Sequence, residues 1–256
     1  MIDIDPIVGI IFSGIFGLLI GSFLNVLIWR LPREESIQGR SHCPNCGHTL
    51  NWLDLFPVLS IILFRAKCRY CKSKISLRYP LIEVITATLF AFAWVHFTPV
   101  DFVSTLLFAK ALIIIAVCIV VFVIDLEHYL ILDKVIFPVL VVMGMFAIAL
   151  QTYGNFVASI VGFIPFWAMW HYSKGKWMGF GDAKYLAFMG LALGPISLAV
   201  GLFVSFTVGA LIGLILIVIG QKNMSSKLPF GTFLAFSTIL GLFFGPKLWD
   251  LYWRLL

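Results

Sequence analysis

The chain has 256 residues, of which 61% are hydrophobic and only 12% charged. Soluble domains average about 45–50% apolar and about 25% charged residues, so this composition excludes a soluble globular protein. The formal net charge is +6. It does not mark a nucleic-acid partner, because most of the basic excess lies in one segment and nothing else supports that partner.

Apolar runs of about 17–25 residues recur along the chain, each long enough to span a bilayer. They do not alternate apolar and polar residues as barrel strands would. The expected fold is an all-α polytopic membrane protein with about eight transmembrane helices. The runs fall roughly at 6–29, 80–97, 102–124, 134–151, 154–172, 182–195, 196–220 and 230–250. The sixth is short and shares the Gly194-Pro195 turn with the seventh.

The first run, within residues 1–29, is flanked by Asp3 and Asp5 rather than lysines and is too long for a signal-peptide core. It reads as a retained transmembrane helix. Ser13, Gly17, Gly21 and Asn25 recur every four residues on it and form one small, weakly polar stripe. Such a stripe suits close helix packing, with a functional role for Asn25 as the alternative.

Residues 30–80 carry Arg30, Arg33, Arg40, Arg65, Lys67, Arg69, Lys72, Lys74 and Arg78 against Glu34, Glu35 and Asp54. A basic loop of this kind is expected on the cytoplasmic side. The same segment holds Cys43 and Cys46 in CPNC, and Cys68 and Cys71 in CRYC. Two Cys-x-x-Cys pairs complete a tetrahedral four-thiolate site, and a closed site of that type is structural. The 21 residues between the pairs are one more than the usual upper spacing of about 20. The pattern favours zinc over a redox pair or two disulfides, and a cytoplasmic setting keeps the thiols reduced. His42 and His48 read as surface residues and Cys118 as a packing residue within a span.

If 30–80 is cytoplasmic, the alternating loops put Lys134, Lys174, Lys176, Lys184, Lys222 and Lys227 at the inner side. Lys247 and Arg254 are the exceptions. This supports eight spans with both termini outside. The same scheme puts Asp125, at the end of the third span, and Asp182, at the start of the sixth, at one membrane face. Ionisable residues at membrane depth are functional hypotheses by default. Two carboxylates brought together share a proton, the arrangement of an aspartic protease. Gly179 and Gly181 leave room for a substrate or a neighbouring helix beside Asp182. The bland readings are a helix cap for Asp182 and an interfacial residue for Asp125. Asp133 reads as a loop or cap residue, and Glu127 and His128 as solvated neighbours.

Taken in order, these segments resemble the bacterial type IV prepilin peptidases, also called prepilin leader peptidase/N-methyltransferases. GSFLNVLIWRLP (21–32) is similar to the family's N-terminal signature. CPNCGHTLNWLDLFPVLS (43–60) and KCRYCKSKISLRYPLIE (67–83) are similar to its cysteine-rich domain. VIDLEHYLILD (123–133), GFGDAKY (179–185) and LPFGTFLA (228–235) resemble two aspartate motifs and a third motif near the last span. Leu132 and Thr232 stand where the family often has proline. Neither is expected to touch the aspartate pair.

The resemblance implies a first helix (1–29), a cysteine-rich zinc-binding cytoplasmic domain (30–80) and a seven-helix membrane peptidase core (81–256). It implies a bacterial inner-membrane enzyme with zinc domain and active site facing the cytoplasm. That enzyme removes the short basic leader of prepilins and pseudopilins, with Asp125 and Asp182 as the catalytic pair and the four cysteines as zinc ligands. It also implies N-methylation of the new N-terminus with S-adenosylmethionine, although no Rossmann-type cofactor fingerprint is present. The competing readings are a non-enzymatic assembly factor or a proton-linked transporter with a zinc-ribbon partner-binding domain, and a presenilin-like protease. A proton path needs acids near mid-bilayer, and presenilin-like proteases lack the paired cysteines.

Overall fold

The computed structural model describes residues 5–43, 45–51, 54, 56–57, 66–221, 223 and 227–255. Asp3, Pro44, Arg65 and Lys222, which entered the sequence reading, lie outside the described residues. Eight α-helices occur among the described residues: α1 (Pro6–Arg30), α2 (Arg78–Phe97), α3 (Phe102–His128), α4 (Asp133–Ala149), α5 (Gly154–Ser173), α6 (Phe180–Leu193), α7 (Pro195–Val218) and α8 (Phe230–Leu255). The five helices α1, α2, α3, α7 and α8 are long and apolar enough to cross a membrane. The chain divides into two compact units, residues 1–120 and 121–256, with the division inside α3.

In the first unit, α1 starts where Asp5 caps it. The Asp5 carboxylate accepts the Ile7 N–H at 2.8 Å, and Pro6 fills the first helical position, where no N–H is needed. The small stripe faces α2. A Cβ added at Gly17 would come within 2.6 Å of the Ala87 Cα, and one at Gly21 within 2.7 Å of the Glu83 Cα. The Asn25 amide donates to the Gly21 carbonyl at 3.2 Å and across to the Tyr79 carbonyl at 3.1 Å. The stripe is therefore a helix-packing seam, as its spacing requires.

Past α1, a 3₁₀ turn over Leu31–Arg33 leads into Glu34 at φ 57°. The buried Arg30 guanidinium draws the next segment back by donating to the carbonyls of Ser36, Gln38 and Arg40 at 2.9–3.1 Å. Cys118 is fully buried within α3.

In the second unit, α6 is the central helix. Its Ala183, Tyr185, Leu186, Phe188 and Met189 have no exposed surface. A helix apolar all round, as this one is over most of its length, belongs inside a bundle. At 14 residues it is about 21 Å long, shorter than a bilayer core of about 30 Å. Helix α5 packs closely on it. A Cβ at Gly162 would come within 2.8 Å of the Leu186 carbonyl oxygen. The Ser159 hydroxyl donates to the Ala187 carbonyl at 2.8 Å, and the Asn155 amide to Leu191 at 2.9 Å. Tyr185 donates to Thr238 of α8 at 3.0 Å. Gly194 alone joins α6 to α7, at φ 80°, a conformation that suits glycine. These contacts fix α6 against α5 and α8.

Candidate active site and cysteine cluster

The cysteine segment is built from one small motif used twice, 25 residues apart. In the first copy the Gly47 N–H donates to the Cys43 carbonyl, the Cys43 N–H to His48, and the Leu50 N–H to Ser41. In the second copy Lys72 donates to Cys68, Cys68 to Ser73, and Ile75 to Ala66. All six bonds lie between 2.8 and 3.0 Å. The residue after each second cysteine is left-handed, Gly47 at φ 67° and Lys72 at φ 59°. Each turn thus aims its two thiols the same way.

The four sulfurs of Cys43, Cys46, Cys68 and Cys71 lie within 4.8 Å of one another, with Cys43 and Cys71 at 3.9 Å. Bonds of about 2.3 Å to a tetrahedral ion put sulfurs roughly 3.8 Å apart, so the cluster fits such an ion. Hydrogen bonds from the Ser73 hydroxyl and backbone N–H lower the Cys71 thiol to about 6, which favours the thiolate a metal needs. Neither histidine joins the cluster. His48 packs on the Tyr70 ring at 3.5 Å between centroids, and His42 pairs with Thr49.

The second candidate site lies at the ends of three helices in the second unit. Asp125, in the last turn of α3, is buried. Its Oδ2 accepts the Thr232 backbone N–H at 2.7 Å and lies 3.1 Å from the Thr232 hydroxyl. These donors sit in the first turn of α8, where N–H groups have no helical acceptor.

Asp182 lies in the first turn of α6, not at its cap. Gly179 is the cap residue, and its N–H donates to Asp182 Oδ2 at 3.2 Å. The Asp125 and Asp182 carboxylates interact electrostatically. The cap reading thus holds in altered form, with Asp182 reaching back from the third helical position. The expectation that Thr232 stands clear of the aspartates is wrong. It donates to one of them, which proline could not do through its nitrogen.

Ile131 lies between the two carboxylate-bearing regions. A Cβ on Gly181 would come within 2.9 Å of Ile131 Cβ, and one on Gly231 within 2.8 Å of Ile131 Cδ1. The same Cβ on Gly231 would also come within 3.0 Å of the Asp125 carboxyl carbon. Asp133 opens α4 and forms an ion pair with Lys184 of α6, tying the connection that carries Ile131 to α6. Glu127 and His128 are 3.9 Å apart. Thr232, Gly231 and Ile131 were not singled out as site residues from the sequence. The departure of Thr232 from proline was the available signal.

A multi-pass helical protein with a carboxylate pair at helix ends and a four-cysteine cluster is the class that fold and sites define. Two family profiles match it. "Bacterial Peptidase A24 N-terminal domain" covers residues 15–97, and "Type IV leader peptidase family" covers residues 112–214. The chain is 32% identical to a prepilin leader peptidase/N-methyltransferase of Legionella pneumophila, over 93% of this chain and 92% of that one. It is 33% identical to that of Bacillus subtilis (strain 168), over 93% and 95%, and 30% identical to that of Dichelobacter nodosus, over 95% and 94%. No solved structure matches. The chain belongs to the prepilin leader peptidase/N-methyltransferase family, and it is an enzyme with peptidase activity.

Proposed function

We propose that this protein is a membrane-embedded aspartic endopeptidase that removes the short basic leader of prepilins and pseudopilins at the cytoplasmic face. The observation that supports the reading is the convergence of the Asp125 and Asp182 segments, one at the end of α3 and one at the start of α6: Gly231 lies against Asp125, and Gly231 and Gly181, the residue before Asp182, both abut Ile131. Two such carboxylates hold one proton between them. The charged one takes a proton from water as the water oxygen bonds to the scissile carbonyl carbon. The protonated one gives its proton to the carbonyl oxygen. The carbon–nitrogen bond then breaks as a proton reaches the leaving amine. Gly179 leaves the backbone before Asp182 without a side chain, as an approaching substrate needs, whereas the space beside Gly181 is taken by Ile131.

The cysteine segment, 30–80, is read as a cytoplasmic zinc domain, followed by a seven-helix peptidase core over 81–256. Four sulfurs at tetrahedral spacing support zinc, which would lock the two turns together without taking part in the chemistry. The three helices α4, α5 and α6 would complete eight spans, the short α6 being sheltered by its neighbours. N-methylation of the new N-terminus with S-adenosylmethionine is supported by the name the relatives share. No donor site is assigned among the described residues.

The test uses purified enzyme in lipid, a prepilin peptide and S-adenosylmethionine, with product masses as the readout. Asp125→Asn and Asp182→Asn are each expected to abolish leader loss while inserting and folding normally. Full cleavage by either variant would overturn the reading.

A further inference from the structure

Resting on the aspartic reading above, we infer that the two carboxylates have fixed and different roles, and that Thr232 is the positioning residue that divides them: Asp125 holds the charge and activates water, and Asp182 carries the proton delivered to the scissile carbonyl.

The argument is a count of donors. An ionised carboxylate only accepts hydrogen bonds, whereas a protonated one must also donate. Both described donors on Asp125 suit the ionised form: the Thr232 N–H at 2.7 Å and the Thr232 hydroxyl at 3.1 Å. The Thr232 N–H lies at the start of α8, whose dipole favours a negative charge there. Asp182 receives one described bond, from the Gly179 N–H at 3.2 Å. Hydrogen bonds to the charged form favour that form, and Asp125 receives two, at 2.7 and 3.1 Å, where Asp182 receives one at 3.2 Å.

The hydroxyl proton has two candidate acceptors. The Phe122 carbonyl lies 3.4 Å from Thr232 Oγ1 and Asp125 Oδ2 lies 3.1 Å from it. The carboxylate is nearer, and a charge-assisted bond is the stronger of the two. The side-chain donation needs a hydroxyl, and the backbone donation needs any residue but proline. Valine removes the hydroxyl at nearly constant shape, and proline removes the hydroxyl and the N–H together. Thr232 and Asp125 are both buried, so water is poorly placed to replace a lost donor.

The substitutions are Thr232→Ser, Thr232→Val and Thr232→Pro, assayed as purified enzyme in lipid on a prepilin peptide. Thr232→Val is expected to lower kcat roughly tenfold, the cost of one hydrogen bond to a charged group, with KM within about twofold. Thr232→Ser keeps the donor and is expected to stay near the parent kcat. Thr232→Pro is expected to fall below Thr232→Val. Infrared difference spectra supply a readout independent of turnover. A protonated-carboxyl band of the parent enzyme is expected to vanish in Asp182→Asn and to persist in Asp125→Asn.

Loss of that band in Asp125→Asn with its persistence in Asp182→Asn would reverse the roles and overturn the inference. So would a parent-like kcat in both Thr232→Val and Thr232→Pro. If instead either aspartate variant still cleaves, the aspartic reading itself fails. Inactive aspartate variants beside a fully active Thr232→Val remove only the role of Thr232.

Discussion

The cysteine cluster and the carboxylate centre are assembled in opposite ways. Each cysteine turn is local, closed by backbone bonds within ten residues and used twice. Only the joining of the two turns is long-range, through the four sulfurs and the His48–Tyr70 ring contact. The carboxylate centre has no local unit. Asp125 is held by a residue 107 positions away, and Ile131 contacts glycines from two further helices. The cluster could be joined by a single ion, whereas the centre depends on the packing of several helices of the second unit. Perturbing one should therefore be all-or-none, and perturbing the other graded.

The largest effect is expected at the cluster. Cys43→Ser, or a strong chelator, should take bound metal from about one equivalent to none, read by elemental analysis of purified protein. Limited proteolysis should then cut between α1 and α2, because metal binding supplies much of the folding free energy of such small units. Acidification should do the same. Protons compete with the metal for the four thiolates, so metal should be retained at neutral pH and lost on acidification. Metal content unaffected by Cys43→Ser would break the comparison at its first term.

A hundredfold effect is expected at the centre from Gly231→Ala. The added Cβ would come within 2.8 Å of Ile131 Cδ1 and 3.0 Å of the Asp125 carboxyl carbon, so the Asp125 carboxylate or the Ile131 side chain must shift. A displacement near 1 Å at a reacting group can cost about 10²-fold in rate. Gly144→Ala is the control. Its Cβ would meet only Phe156, at 3.9 Å, so cleavage should be unchanged and α4 slightly stabilised. Equal rates for the two variants would remove Gly231 from the centre.

This contrast explains what could be read from the sequence. Spacing and hydropathy suffice for the eight helices, the α1 seam and the cysteine quartet, because helix period and ligand spacing are local properties. They also pointed to Asp125 and Asp182, since a carboxylate at the edge of an apolar run is conspicuous. Thr232 was not legible as a partner. Its place depends on how α8 meets α3, and a threonine at a helix start is unremarkable by itself. Ile131 was hidden for the same reason. It is one aliphatic residue among many until Gly181 and Gly231 show what it fills. The Asp182 cap was half legible: the residue type suggested a cap, but the position depended on where α6 begins.

The smallest effect concerns the Asp133–Lys184 ion pair, which tests how finely the centre responds. The two partners are not equivalent. The Asp133 side chain is 55% exposed and sits at the start of α4, where a helix N-terminus favours a carboxylate even without a cation. The Lys184 side chain is only 12% exposed, with its amine 4.7 Å from the Phe180 ring and 5.7 Å from Phe137. Removing Lys184 leaves a solvated acid in a favourable place. Removing Asp133 leaves a poorly solvated cation beside two rings, which is the costlier defect. Asp133→Asn is therefore expected to lower thermal stability and kcat more than Lys184→Met does. The exposure of Asp133 limits the loss to about 1 kcal/mol, or roughly fivefold. The double variant Asp133→Asn/Lys184→Met should recover part of the single Asp133→Asn loss, because it removes the stranded charge. If the double variant is instead the sum of the two singles, the pair acts only as independent surface charges, and the connection carrying Ile131 is held by packing alone.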